Sequence, residues 1–531
     1  MATIQIECPT LGANLVAEKD TTSSLALFRG IPYASVTKRW TQSRVRDSLP
    51  AVFDATKFGP KCPKPQSSHS SMITVALKNP DVGEDEFACL NLNIAAPLEA
   101  VSEKNAGRKL LPVMVWVHGG AFRHGSNSVT KYDPQVFSLD ARKAGNPIIL
   151  VQINYRLNVF GFAASSDLAT EFASRTAKQS LPENTPDYFS NFGLVDQHNA
   201  FQWVQNHIQD FGGDPSNVTA FGVSAGSGSL HMHILSGQPL FDRAILMSGT
   251  APMMGPLPAQ YIEPSWIKLC KNSGVLDQTS EVRLENLRSL PAEHLMQHCD
   301  PHASFIPIAD DKLLPKSWRL GDAHPETRCK DIIIGDTHVE GIIFDGLIRP
   351  LQNVIHDKIK AAFKTSADAE MFCKIFSLGS AKMQEHVEFR EAMRYLLSVL
   401  MFHFPNLRIA ETYPGKAYLY HFEEPSPYEG KSNGLPVHGQ CAVYIYGTER
   451  EVWPETSQEI SLNMARLWID FANGKEPWGR FSTTEKFMRF GPGAESGEKT
   501  LADDDSRDYT YASWLRDHFE EAKRLFFSLL G

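Results

Sequence analysis

The residues best suited to chemistry lie at Gly222-Val223-Ser224-Ala225-Gly226. A serine with glycine two residues away on each side suits a sharp strand-to-helix turn. Such a turn needs strained backbone angles and no bulky neighbours, so that the hydroxyl stands clear as a nucleophile. The N-terminus of the helix that follows adds a favourable field for developing negative charge. A carbonyl attacked by that serine becomes an oxyanion, which each preorganised N–H donor stabilises by about 3 kcal/mol. His118-Gly119-Gly120-Ala121-Phe122 supplies small residues after an apolar run. The backbone N–H groups of Gly120 and Ala121, with that of Ala225, make a candidate three-donor hole.

These residues must be carried by regular elements. Leu111–Val117 and Pro147–Tyr155 are short, apolar, β-branched runs bounded by turn formers, the pattern of fully buried parallel strands. Between Asp196 and Phe211, Ala200, Phe201, Val204 and Ile208 recur at helical spacing. Gly212-Gly213-Asp214-Pro215 breaks that helix, and Asn217–Gly222 reads as a third strand leading into the serine turn. Strands alternating with helices imply a mostly parallel sheet. Leu462–Asn473 and the run from Trp514 to Phe526 also carry apolar residues at helical spacing and read as packed helices.

Composition excludes several other classes. Fifty-two Lys and Arg against sixty-one Asp and Glu give a net charge of −9, with 42% hydrophobic and 21% charged residues. The chain is too apolar to be disordered. It has no basic surplus to neutralise phosphates, so nucleic acid is not an expected partner. No segment is apolar for long enough to span a bilayer as a helix. No basic-then-apolar leader opens the sequence, so a cytoplasmic location is expected. Length suggests about three domains, but there is no linker, repeat or low-complexity stretch. The polar run Ala163–Ser190 reads as a surface insertion, and residues 1–531 read as one large α/β unit. Eight cysteines show no C-x-x-C pair and no zinc-like spacing with histidine, so no metal is expected.

The chain resembles the type-B carboxylesterases, the α/β-hydrolase group that includes cholinesterases and some fungal lipases. The matching stretches are Phe28-Arg29-Gly30-Ile31-Pro32-Tyr33-Ala34, Cys89–Ile94, Val117–Phe122, Asn154-Tyr155-Arg156-Leu157 and Gly193–Gln197. The last is Phe211–Pro215, running into Phe221–Gly226. The resemblance implies an α/β-hydrolase fold: a large, mostly parallel sheet flanked by helices, with a helix-rich region at about 251–430 covering the pocket. It implies a triad in the chain order serine, acid, histidine. The family's Glu-Gly loop points to Glu340 in Asp331–Gly341, with Asp336, Asp345 and the Asp310-Asp311 pair as rivals. Of eighteen histidines, the family's His-Gly followed by an aromatic-rich segment points to His438 in Val437–Gly447. His118 belongs to the oxyanion turn, His338 is too close to Glu340, and His403 and His421 lack the following glycine.

The resemblance further implies an acyl-enzyme mechanism on small-molecule carboxylic esters with no metal or organic cofactor. It leaves two alternatives: an acyl-transfer or eliminating relative of secondary metabolism with the same triad, or a non-catalytic scaffold. The scaffold members usually lack a triad residue, and none is missing here. Oligomeric state is not encoded in any of these motifs. Ser248 resembles a serine that the family places behind the triad. Cys62 and Cys89 occupy the positions of a family disulfide, which would contribute about 3.5 kcal/mol. A reducing compartment would keep them as thiols. Two departures stand out. Val223 replaces the family's glutamate before the nucleophile, which removes a carboxylate from the pocket floor. Glu86-Phe87-Ala88 replaces Ser-Glu-Asp before the cysteine, which argues against the ion pair expected there.

Overall fold

The two apolar runs read as buried strands form the middle of the sheet. The computed structural model describes residues 2–65, 73, 76–101, 109–178, 189–251, 253–300, 303–379 and 386–530. Leu111–Val117 pairs in parallel with Ile149–Ile153 on one side and Gly213–Val223 on the other. The parallel order continues through Arg243–Met247, Asp331–Thr337, Lys416–Phe422 and Lys486–Phe490. Antiparallel strands extend both edges into a thirteen-stranded sheet that draws on residues from Thr3 to Thr500. In register, Val117 lies beside Gly222, Gly222 beside Leu246, and Leu246 beside Ile334. The C-terminal ends of these strands therefore finish along one rim, where open α/β sheets place their ligands.

Phe192–His207 forms the expected helix, continued by a short 3-10 turn at Ile208–Phe211. The break after it is shorter than the sequence suggested. The strand begins at Gly213 and absorbs Asp214 and Pro215 through a register shift between Gly213 and Val218. A proline is tolerated there because the irregularity relieves it of a ladder hydrogen bond. The helix Glu455–Ala472 buries Met464, Leu467, Trp468 and Phe471. The C-terminal helix Thr510–Leu530 packs through Leu515, Phe519, Ala522, Leu525 and Phe526. Between residues 251 and 430 the described residues form eight α-helices, and the same region contributes the strands Asp331–Thr337 and Lys416–Phe422. Part of the Ala163–Ser190 insertion is the helix Ser166–Lys178, and residues 179–188 lie outside the described residues. No helix of the described chain is long and apolar enough to cross a membrane.

The motifs scattered along the sequence meet in space. Arg156 donates through Nε and Nη2 to the two oxygens of Asp196, each at 2.8 Å, and its backbone N–H adds a third bond at 3.1 Å. Both side chains are buried. Tyr155 donates to the carbonyl of His118 at 2.8 Å and stacks on its ring, with centroids 4.5 Å apart. Tyr33 donates to the carbonyl of Asn154 at 2.7 Å. Gln197 donates to Ser229 Oγ at 3.1 Å and its Oε1 lies 3.0 Å from His233 Nε2, which fixes the helix after Ser224.

One expectation needs correction. Glu86 does form an ion pair: Arg39 Nε donates to it at 2.7 Å, with both side chains buried. Arg39 is held beside that carboxylate by further bonds to the carbonyls of Leu287 and Leu290, at 2.5 and 2.9 Å. At the positions of the family disulfide, Cys62 and Cys89 are buried free thiols. Leu157 N–H donates to Cys62 Sγ at 3.2 Å, and the Cys89 thiol lies 3.6 Å from the carbonyl oxygen of Glu86. Hydrogen bonding to Cys62 and then burial hold the Cys89 thiol well above its ordinary pKa.

Removing one partner of a buried ion pair leaves an uncompensated charge, which costs about 3–5 kcal/mol. Asp196→Ala is therefore expected to lower stability by that amount, measured as a drop in thermal or urea unfolding midpoint. A second expectation concerns pH. Burial lowers His118 and His324 to about 4 and His233 to about 3, against 6.5 unperturbed. The unfolded chain takes up these protons first, so stability is complete above pH 6.5 and falls as pH drops toward 4. In His233→Gln the loss between pH 7 and 5 should shrink by about 2 kcal/mol, read from unfolding curves at the two pH values.

Candidate active site

Ser224 sits at the end of the strand Gly213–Val223 with φ 57° and ψ −126°, immediately before the fully buried helix Ala225–Leu235. Such a backbone costs about 1–3 kcal/mol and persists only where neighbours fix it. Here Ser224 N–H donates to Met247 O at 2.9 Å, and Ser224 O accepts from Gly228 N–H at 2.9 Å. The flanking glycines answer to crowding. A Cβ on Gly226 would lie 2.1 Å from the carbonyl oxygen of Val117. One on Gly119 would lie 2.6 Å from that of Val223 and 3.0 Å from Ser224 Cβ. Only without side chains can the loop after Val117 close over the serine turn.

That loop is itself strained. Gly120, Ala121 and Phe122 have φ of 117°, 55° and 58°. Gly120 O accepts from Arg123 and His124 N–H, both at 2.9 Å, and Phe122 O accepts from Asn158 N–H at 2.6 Å. With the carbonyls turned inward to these bonds, the N–H groups of Gly120, Ala121 and Ala225 have no acceptor among the described residues.

Glu340 and His438 arrive on two loops zipped together. Val339 and Val437 form a parallel bridge, and Val339 N–H donates to Pro436 O at 2.9 Å. Glu340 is completely buried. Its Oε1 accepts from Thr337 N–H at 2.8 Å, and its Oε2 is in short contact with His438 Nδ1. That bond fixes Nδ1 as the protonated nitrogen and leaves the Nε2 lone pair free. A Cβ on Gly341 would lie 2.0 Å from the carbonyl oxygen of Arg394, which explains why glycine must follow the acid. Phe402 packs on His438 with centroids 5.1 Å apart. The serine side and the histidine side meet where Gly439 approaches Val223: a Cβ there would sit 4.0 Å from Val223 Cγ2. Among the described residues no hydrogen bond closes between the Ser224 hydroxyl and His438. Such contacts often tighten only around bound substrate.

The rival residues are engaged elsewhere. Asp336 accepts from Arg507, from His421 Nδ1 at 3.0 Å and from Asn406 at 2.9 Å. Asp345 pairs with Arg394, Asp310 accepts backbone N–H groups of its own loop, and Asp311 pairs with Lys316. His338 bonds Glu423 at 2.7 Å, and His403 donates to Thr337 O at 3.0 Å. Ser248 lies with φ 52° beside the Cys441 thiol, and its buried hydroxyl makes no well-aligned hydrogen bond.

Several of these contacts form a brace around the acid that sequence reading did not find. Arg507 also donates to Glu423 at 2.6 Å, so one buried guanidinium joins Asp336 and Glu423 behind the Glu340 loop. Burial alone would raise the Glu423 carboxyl, but Arg507 holds it down at about 2. Arg507 has no motif around it; its presence in the short segment before the last helix was the only available signal.

Comparison with known proteins agrees with this geometry. The family model described as the carboxylesterase family matches residues 2–506. Lipase 3 of Yarrowia lipolytica is 26% identical over 494 residues, 89% of each chain. Para-nitrobenzyl esterase of Bacillus subtilis is 28% identical over 476 residues, 85% of this chain and 86% of the other. A solved PNB esterase superposes with a TM-score of 0.69 at 23% identity, covering 93% of this chain and 97% of that one. The chain belongs to the carboxylesterase family and is a carboxylic ester hydrolase with the α/β-hydrolase fold.

Proposed function

We propose that Ser224 is the nucleophile of this hydrolase, His438 its general base and acid, and Glu340 the carboxylate that orients the imidazole. The observation that carries the reading is the buried Glu340–His438 Nδ1 contact facing a serine held at positive φ. In the proposed cycle His438 Nε2 takes the Ser224 proton as Oγ attacks the ester carbonyl. The N–H groups of Gly120, Ala121 and Ala225 receive the oxyanion. The imidazolium then protonates the departing alcohol, and water, activated by the same nitrogen, releases the acid. These steps use water alone as co-reactant.

The substrates we propose are uncharged carboxylic esters of small or medium size. Val223 supplies no carboxylate beside the nucleophile. The similarity to a lipase and a para-nitrobenzyl esterase accords with that choice.

Ser224→Ala is expected to abolish turnover of a short p-nitrophenyl ester while the circular dichroism spectrum is unchanged. The wild-type protein should gain the mass of an organophosphonate probe on Ser224. Undiminished turnover in the variant would remove the assignment. Gly119→Ala, whose new methyl must push the oxyanion loop off the serine turn, should lower kcat by about 10²-fold. Steady-state kinetics on the same ester will check that loss.

A further inference from the structure

A cavity of about 540 Å³ lies away from the serine turn. It is walled by the 256–261 and 308–319 segments and the last helix, and it touches Leu235, the final residue of the helix that begins after Ser224. That helix has eleven residues, so the cavity is about 15 Å from the nucleophile. Its size falls within the range of small-molecule sites.

The lining has two characters. Leu235, Leu257, Ile308 and Phe527 make an apolar wall. Lys316, Arg319, Lys523 and Arg524 also face the cavity, against only Asp310 and Glu520. Asp310 is saturated, since Oδ1 accepts from the N–H groups of Lys312, Leu313 and Leu314 and Oδ2 from Asn191. Lys316 is paired with Asp311 at 3.0 Å, and Arg524 lies 3.8 Å from Glu521.

Arg319 and Lys523 are different. Among the described residues neither has a carboxylate within ion-pair distance. The Arg319 guanidinium donates to the carbonyls of Lys316 and Trp318, at 2.9 and 3.2 Å, while its backbone N–H donates to Asp322 at 2.6 Å. Lys523 is half-buried in the last helix, and its ammonium makes no side-chain hydrogen bond or ion pair among the described residues. The two cations repel one another: burial depresses the Lys523 ammonium, Glu520 partly restores it, and Arg319 lowers it further. Trp318 lines the same wall, and its indole N–H is enclosed without an acceptor. Glu520 offsets part of the charge on Lys523 but is exposed and in ion-pair contact with neither cation; an anion between Arg319 and Lys523 would meet both, and the apolar wall then asks for a tail.

We propose that this cavity binds a carboxylate with an apolar tail, its head between Arg319 and Lys523 and its chain along Leu235, Leu257, Ile308 and Phe527. The site does not depend on the roles given to Ser224, Glu340 and His438. It accepts such an acid whether supplied from solution or released by ester hydrolysis.

The test uses dodecanoate and the full chain carrying Ser224→Ala, so that no acid is generated during the measurement. Titration calorimetry is expected to show saturable binding in the micromolar range, at least tenfold tighter than for dodecanol, a difference of about 1.4 kcal/mol. Adding Arg319→Ala and Lys523→Ala should weaken dodecanoate at least tenfold and leave dodecanol unchanged. Both side chains are partly solvent-exposed, and an unchanged melting temperature will confirm that the double variant folds. If dodecanoate binds no better than dodecanol, or equally well to the double variant, the proposal fails. Binding lost together with folding is resolved by the charge-preserving pair Arg319→Lys and Lys523→Arg, which must retain affinity.

Discussion

A carboxylate taken out of water costs several kcal/mol unless its oxygens are fully used, and the Glu340 side chain is completely buried. Its two oxygens have one partner each, a backbone N–H three residues earlier and the imidazole of His438. Little else in the site could hold His438 in one tautomer, so the geometry of that loop decides whether the base proposed above is available. The protein braces it from three directions. Val339 and Val437 bridge the two loops, Arg394 O crowds Gly341, and Arg507 ties Asp336 and Glu423 behind them. Arg507 belongs to the segment just before the C-terminal helix, so that segment contributes to the support behind the Glu340 loop.

The proposed oxyanion side follows the same logic with uncharged parts. A run of three positive φ values from Gly120 to Phe122 is unfavourable in isolation. Tyr155 and Asn158 hold the two ends of the run, and the Arg156–Asp196 pair anchors the segment that carries both. The family motifs that look like separate signatures in the sequence are thus members of one truss. Each supplies a partner to a backbone group that would otherwise be strained or unsatisfied.

This explains how far the sequence could be read. The strands around Val115 and Val151 and the serine turn were legible because their signals are local: β-branched runs, glycine spacing and helical periodicity. Glu340 and His438 were legible only through the resemblance, since an isolated Glu-Gly or His-Gly carries no physical signal of pairing. The Asp336–Arg507 pair joins residues 171 positions apart and obeys no periodicity, so nothing in the sequence could announce it. Glu86 shows a related limit: the replaced Ser-Glu-Asp motif argues against an ion pair, whereas Arg39, 47 positions earlier, reaches the carboxylate across the fold. The strand that begins at Gly213 shows the opposite failure, a local breaker signal overridden by pairing with Leu111.

The helix Ala225–Leu235 links the serine turn to the cation-lined cavity, and its fixings bear on what the cavity can do. Along its length Ser227 donates to Gly249 O at 2.5 Å, Ser229 and His233 meet Gln197, and His231 accepts from Ala251 N–H at 3.1 Å. Every residue of the helix is buried, and close-packed interiors switch between discrete arrangements rather than bending smoothly. A tail pressing on Leu235 would have to break several of these bonds together to displace Ser224. Occupancy of the cavity therefore relieves the repulsion between Arg319 and Lys523 locally and adds to the stability of the folded chain by mass action. It leaves the backbone of the serine turn where Met247 and Gly228 hold it.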